Sequence, residues 1–384
     1  MRYFVERFRR FCGFITGFVF FISGILKLLD PVGAGLVMDE YFDFMHLGFF
    51  SFAAKPAGTV FALAEALIGT ALITGVWRKA TAIAAMAFQG FFTLLTLALV
   101  IFNPQMDCGC FGEAIHLTHM QTFIKNLVLC VMLAAAFIPL RGLGRNKSRK
   151  YVSFGIVTVA VLAFTAYSWI YIPLVDFTDF KHGTTLAAGD SSSDEMYEAR
   201  FIYEKEGIQE SFDLMHLPDS SWTFISTETV IKEDFKSPVT LSFTDAEGEY
   251  SDRLAAEGKV IVISIYDTDI RKSRTDRIAG FMDNAEKAGF NVLLLAASTL
   301  EEAGPCYLSD RKTLITLNRS NGGATYFNDG TLIRKWAYNA LPNIQKLEEL
   351  AEGNETETGI DKDTKGNLGF QGFLLYVFAV MLLL

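Results

Sequence analysis

The sequence predicts a membrane α-helical bundle with a separate extracytoplasmic α/β domain. Three observations carry that prediction. The 384 residues are 51% hydrophobic and include 35 Phe, a bias that soluble chains of this length rarely show. The apolar residues collect into long runs. A later stretch instead alternates strand-like and helix-like patterns.

Six apolar runs are long enough to consider as spans, at 11–29, 57–76, 80–102, 123–140, 152–174 and 368–384. About 20 residues at a rise of 1.5 Å cross a hydrocarbon core of roughly 30 Å. The fourth and sixth runs are the shortest. The first is read as a retained span, not a cleaved signal. Lys27 lies near its end, Asp30-Pro31 follows, and no small-residue cleavage site is visible.

Basic residues orient the spans. Arg2, Arg7, Arg9 and Arg10 precede the first, and Arg78-Lys79 separates the second and third. Arg141, Arg145, Lys147, Arg149 and Lys150 precede the fifth. If every run crosses, these groups share the cytoplasmic side. The loop after the third span and the long segment from about 176 to 366 then lie outside, which in a bacterial inner membrane means the periplasm. Between the first two spans, 38–52 is too apolar for a solvated loop. Asp39, Glu40 and Asp43 forbid a span there, so an interfacial or re-entrant helix is expected.

The outer segment opens with a polar linker at 189–195. Lys259 to Tyr266 reads as a buried parallel strand, 274–289 as a helix ending on Gly289, and 290–296 as a second buried strand. Residues 313–317 suggest a third. Asn328-Asp329-Gly330-Thr331 is a tight turn between strands at 324–327 and 332–336. That order indicates an α/β domain. Residues 354–366 are charged and read as a tether back to the membrane.

Chemistry concentrates in Asp107-Cys108-Gly109-Cys110-Phe111-Gly112, which holds two of the five cysteines. A Cys-Gly-Cys pair can close a small strained disulfide, and strain favours reduction. Glycine permits the unusual dihedrals such a ring needs. The carboxylates Asp107 and Glu113 disfavour a thiolate nearby, so an activating cation must come from elsewhere; Lys125 is one candidate. Cys108, Cys110, His116 and His119 also offer two sulfurs and two nitrogens to zinc or copper. The Cys-x-Cys spacing differs from structural zinc sites, and a structural disulfide or inert thiols are further alternatives. Cys12 and Cys130 read as small hydrophobes within spans. Cys306 reads as a quiet thiol, with exchange against the Cys108 loop as its functional alternative.

Lys27 and Glu65 fall inside apolar runs near their outer ends, where a snorkelling lysine could meet the carboxylate. A structural tie is the simpler role, and a proton or quinone role the alternative. Gln89 and Asn126 are candidates for bonds between helices.

Phe21 to Pro31, with Lys27 and Asp30-Pro31, resembles the opening of the DoxX family. The Cys108–Cys110 motif, followed by Thr122-Phe123-Ile124-Lys125-Asn126, resembles the related MauE branch. Together they cover about residues 10–140. The resemblance implies a four-helix membrane module associated with redox processes; MauE relatives are linked to maturation of the disulfide-rich small subunit of methylamine dehydrogenase. The outer domain resembles a degenerate thioredoxin-like fold. No cysteine stands in 267–273, directly after the strand ending at Tyr266, and no proline stands in 317–323, where that family places its cis-proline.

The expected domains are therefore 1–145 (DoxX/MauE-like four-helix module), 146–176 (fifth span), 177–353 (thioredoxin-like domain) and 354–384 (linker and last span). The expected function is thiol–disulfide exchange or electron transfer through Cys108 and Cys110, with a periplasmic thiol or disulfide protein and membrane lipid as partners. A non-catalytic scaffold and a Cys/His metal-handling protein are the rivals. No cofactor motif is visible; a quinone is one acceptor that would carry electrons away. A net charge of -9 argues against nucleic acid.

Overall fold

The structure, a computed structural model, describes residues 2–104, 106, 108–140, 148–187, 197–205, 208–212, 222–231, 239–245, 247–269, 271–299, 306–353 and 355–383. Asp107, the basic residues Arg141, Arg145 and Lys147, the linker at 189–195 and Asn354 lie outside the described residues.

Among the described residues, six helices are long and apolar enough to cross a membrane. They are α1 (Arg2–Leu29), α3 (Ala54–Thr74, extended N-terminally by a 3-10 turn, Gly48–Ala53), α4 (Arg78–Phe102), α5 (His119–Phe137), α6 (Ser148–Ile170) and the last helix, α10 (Glu355–Leu383). Small residues let α1 and α3 approach closely, as packing between spans requires. A Cβ on Gly24 would lie 2.6 Å from the Ala66 amide nitrogen, so no larger residue fits there. Helix α5 begins on a capping box, with Thr118 and Gln121 satisfying each other's backbone N–H groups. It packs on α4, where the Gln89 amide donates to the Asn126 carbonyl at 3.2 Å and the Asn126 amide to Thr96 Oγ1 at 3.2 Å.

The stretch between the first two spans folds as α2 (Pro31–Phe44) and the 3-10 turn. Proline at its first position needs no N–H partner, and Asp30 caps it by accepting from the Gly33 N–H at 3.0 Å. Phe49 and Phe52 of the turn are exposed.

Contacts between helix ends fix the alternation of the spans. Arg9 donates to the Ala136 carbonyl at 2.9 Å, joining the start of α1 to the end of α5. Lys150 donates to the Met381 carbonyl at 3.1 Å, joining the start of α6 to the end of α10. Trp77, in the α3–α4 turn, meets Tyr151 edge-on at 5.3 Å. All the described basic residues used for orientation thus gather at one end of the bundle. At the other end are the Cys108 loop, α2 and the α/β domain.

The α/β domain has a five-stranded sheet in the order β7-β6-β5-β8-β9. Its strands are β5 (Lys259–Ile265), β6 (Asn291–Ala296), β7 (Tyr307–Leu308), β8 (Gly323–Asn328) and β9 (Thr331–Trp336). Central β5 runs parallel to β6 and antiparallel to β8. It is buried on both faces, which is why it reads as an unbroken apolar run. Ile261, Ile263 and Ile265 meet Ile278 and Phe281 of α7 (Lys272–Lys287) and Leu347 of α9 (Ile344–Glu352). Val260 and Val262 face the opposite core with Leu241, Phe243 and Leu314. Full burial of each such side chain contributes about 1.5–3 kcal/mol. Asp329 and Gly330 both have positive φ (44° and 72°), the two-residue turn expected between β8 and β9.

Two expectations need correction. Residues 313–317 are not a strand but part of α8 (Arg311–Leu317), capped by Asp310, which accepts from the Thr313 N–H at 3.0 Å. A short β-branched run cannot by itself distinguish buried helix from strand. The stretch read as a tether is helical too, since α10 starts at Glu355. A three-stranded antiparallel sheet, β3-β2-β4, is additional: β2 (Tyr197–Lys205), β3 (Ile208–Phe212) and β4 (Thr223–Ile231). Its sequence signal is the β-branched and aromatic richness of 223–231.

Candidate functional site

Cys108 and Cys110 sit on a hairpin-like turn at the end of the bundle that carries the α/β domain. Cys110 opens the short strand β1 (Cys110–Glu113). Gly109 and Gly112 both take positive φ, 57° and 60°, and the Gly112 N–H donates to the Gly109 carbonyl at 3.3 Å. At Gly109 the left-handed backbone and the space both demand glycine, because an added Cβ would overlap the Val37 side chain.

Two helices hold the hairpin by its carbonyls. Tyr41 of α2 donates its hydroxyl to the Cys108 carbonyl at 3.0 Å. Burial, with smaller contributions from Cys110 and Cys108, pushes the Tyr41 phenol above its usual range, so it serves as a neutral donor. Ser23 of α1 donates to the Cys110 carbonyl at 2.5 Å. Cys108 is buried at 5% exposure, beside Tyr41 and Leu99, whereas Cys110 is only partly buried. Neither is joined in a disulfide in this structure. That difference in access makes Cys110 the sulfur a soluble reagent reaches first.

A polar chain runs from the hairpin into the bundle. Lys27 Nζ lies 3.3 Å from Ser23 Oγ and 2.6 Å from Glu65 Oε2. The structure therefore brings Lys27 and Glu65 together, and their contact reaches Cys110 through one hydroxyl.

Lys125, the candidate cation, holds its ammonium 4.8 Å above the ring of Phe111, the residue after Cys110. A second charged cluster nearby centres on Arg319. Its side chain is 5% exposed; Nε donates to Asp30 Oδ2 at 2.8 Å and Nη2 to Glu113 Oε1 at 2.9 Å. Burial opposes its charge, but the Asp30 and Glu113 carboxylates hold the guanidinium above even its usual range. A second tie joins Lys335 of β9 to Asp176, just after α6, at 2.7 Å. Burial works against the Asp176 carboxylate, yet the Lys335 charge and hydrogen bonds from Lys335 and Thr178 hold it below the usual carboxylate range. Between hairpin and domain lies a crevice of about 210 Å³, lined by Val37, Glu40, Glu113 and His116 on one side and Thr178 and Lys312 on the other.

The metal alternative loses its donor set. His119 is turned to the Met106 carbonyl (3.0 Å) and Asn103 Oδ1 (3.4 Å). Among the described residues no group of His, Cys, Asp and Glu is arranged to hold a metal. Cys12 is buried in α1, Cys130 lies 3.3 Å from Thr93 Oγ1 between α5 and α4, and Cys306 packs on the α/β core.

No curated protein and no solved structure matches the chain. Residues 197–233, which include the three-stranded sheet, match a domain of unknown function (DUF8463). Residues 5–139, the part of the chain that contains Lys27, Glu65, Cys108 and Cys110, match the family model of methylamine utilisation protein MauE.

Proposed function

We propose that the protein exchanges disulfides with, and takes electrons from, a soluble thiol protein through Cys108 and Cys110. The observation that carries this is the hairpin itself: two cysteines one residue apart, on a turn with two glycines at positive φ, with Cys108 buried and Cys110 only partly buried. The MauE match and the DoxX-like opening at 21–31 support the same role. In the exchange, a partner thiolate attacks Cys110 of the Cys108–Cys110 disulfide, and Cys108 leaves as a thiolate that takes up a proton. The partner's second thiolate then attacks its own sulfur in the mixed disulfide and releases Cys110. Two electrons pass to the hairpin, and the partner becomes the disulfide. A membrane quinone is the class of acceptor that would reoxidise the pair.

The basic residues gathered at one end support a cytoplasmic placement of that end in a bacterial inner membrane. The hairpin and the domain at 177–353 then face the periplasm, where disulfides persist. The strand order of the five-stranded sheet, with one βαβ unit beside an antiparallel hairpin, supports a thioredoxin-like fold. Without a cysteine in 267–273, directly after β5, that domain acts by docking. The domain divisions at 145, 176 and 353 are part of this proposal. A scaffold that only binds partners through the outer domain is the second reading, favoured by the absence of a domain dithiol.

A Cys108→Ser variant tests exchange and sidedness together. In intact cells it is expected to hold a mixed disulfide at Cys110 with a soluble protein, visible on a non-reducing gel and released by reductant. A membrane-impermeant maleimide should block it. No Cys110-dependent adduct would favour the scaffold, and labelling only after lysis would reverse the orientation.

A further inference from the structure

Arg319 belongs to the α/β domain, yet both its carboxylate partners belong to the membrane module. Those partners are not equivalent surface residues. Asp30 caps α2, the helix whose Val37 covers Gly109 and whose Tyr41 binds the Cys108 carbonyl. Glu113 ends β1, the strand that Cys110 begins. One guanidinium therefore spans the two elements that enclose the hairpin.

The loop that presents Arg319 is rigid. Asn318 donates to the carbonyls of Ala324 (3.0 Å) and Trp336 (3.2 Å), and the Ser320 N–H donates to Asn318 Oδ1 at 3.0 Å. Asn321 Oδ1 accepts from the N–H groups of Tyr266 and Asp267. The Tyr266 hydroxyl donates to the Arg319 carbonyl at 3.1 Å. Arg319 Nη1 also donates to the Ile315 carbonyl at 3.3 Å. A planar fork held this way grips two carboxylates at fixed separation, which a lysine ammonium cannot reproduce.

We infer that Arg319 is a positioning residue through which the docked α/β domain keeps the Cys108–Cys110 hairpin closed and Cys108 out of solvent. Its importance for exchange rests on the proposed role of the two cysteines. Without the guanidinium, Asp30 and Glu113 lose the cation between them and repel, so β1 can separate from α2. Breaking one side of a buried ion pair is costly because the remaining charge stays desolvated. The opening should therefore be large enough to read at the buried sulfur.

The experiment uses the full chain in native membranes, reduced with a phosphine, in a Cys110→Ser background. The rate of maleimide addition to Cys108 is followed by mass spectrometry, with Cys306 as a monitor of the α/β core. Arg319→Met is expected to speed Cys108 labelling at least about tenfold while Cys306 is unchanged. Arg319→Lys should fall between that variant and the parent. Glu113→Gln should also speed Cys108, and Lys335→Met, which cuts the tie to Asp176, should not. If Arg319→Met also speeds Cys306, the domain has unfolded, and the comparison of Glu113→Gln with Lys335→Met decides. Unchanged Cys108 labelling in Glu113→Gln, or an equal rise in Lys335→Met, would overturn the inference. The reagent needs no protein partner, so this result is independent of whether Cys108→Ser traps one.

Discussion

Replacing Lys27 by methionine while Glu65 remains is expected to destabilise the protein by about 2–3 kcal/mol. Transfer scales give about 2.5–3.5 kcal/mol for a charged side chain at the centre of a span, and this pair lies toward one end of α1. The loss is that of a partner at 2.6 Å, which leaves a carboxylate at membrane depth. Glu65→Leu alone should cost a similar amount. The double variant Lys27→Met/Glu65→Leu should cost less than the sum, because neither charge is then stranded. A double-mutant cycle on unfolding in detergent measures the coupling, and additive single effects would show that the two residues act independently. Lys27→Met should also disturb the hairpin, since Lys27 reaches Cys110 through Ser23.

Gly109→Ala should have a comparable effect for a different reason. Residue 109 has a φ of 57°, and a left-handed conformation costs an L-residue about 1–2 kcal/mol. The added methyl also overlaps Val37, and overpacking typically costs a further 1–3 kcal/mol. Adding Val37→Ala should recover the steric part and leave the backbone part. Thermal unfolding of Gly109→Ala, Val37→Ala and the double variant separates the contributions. Full recovery in the double variant would mean that the backbone at 109 is unstrained by alanine.

The spans were legible in the sequence because length and hydropathy alone decide what crosses a bilayer. The Lys27–Glu65 meeting was legible for a related reason: a charge at membrane depth needs a partner, and few residues offer one. The glycine hairpin was visible as Cys-Gly-Cys. Arg319 was not visible. Its partners lie 289 and 206 positions away in the chain, and a single arginine in a polar loop carries no periodic pattern. Lys125, close in sequence, turned out to lie on Phe111. Residues 313–317 misled because β-branched residues fit a strand until the cap at Asp310 is seen. The small sheet of β2, β3 and β4 went unassigned because polar residues interrupt its strands and leave no long apolar run in the sequence.

The most direct measurement is the oxidation state of the hairpin in the working protein. Cells are quenched in acid, thiols are blocked, disulfides are reduced and labelled with a second reagent, and the peptide spanning Cys108 and Cys110 is weighed. A strained Cys-Gly-Cys disulfide should have a less negative potential than structural disulfides, which typically lie below about -300 mV. The expected result is a peptide that carries the second label on both cysteines. It should shift to the first label when dithiothreitol is added before the quench, with the helical bundle still folded. Thiols that carry only the first label under every condition, or full activity in a Cys108→Ser/Cys110→Ser protein, would contradict exchange at this hairpin.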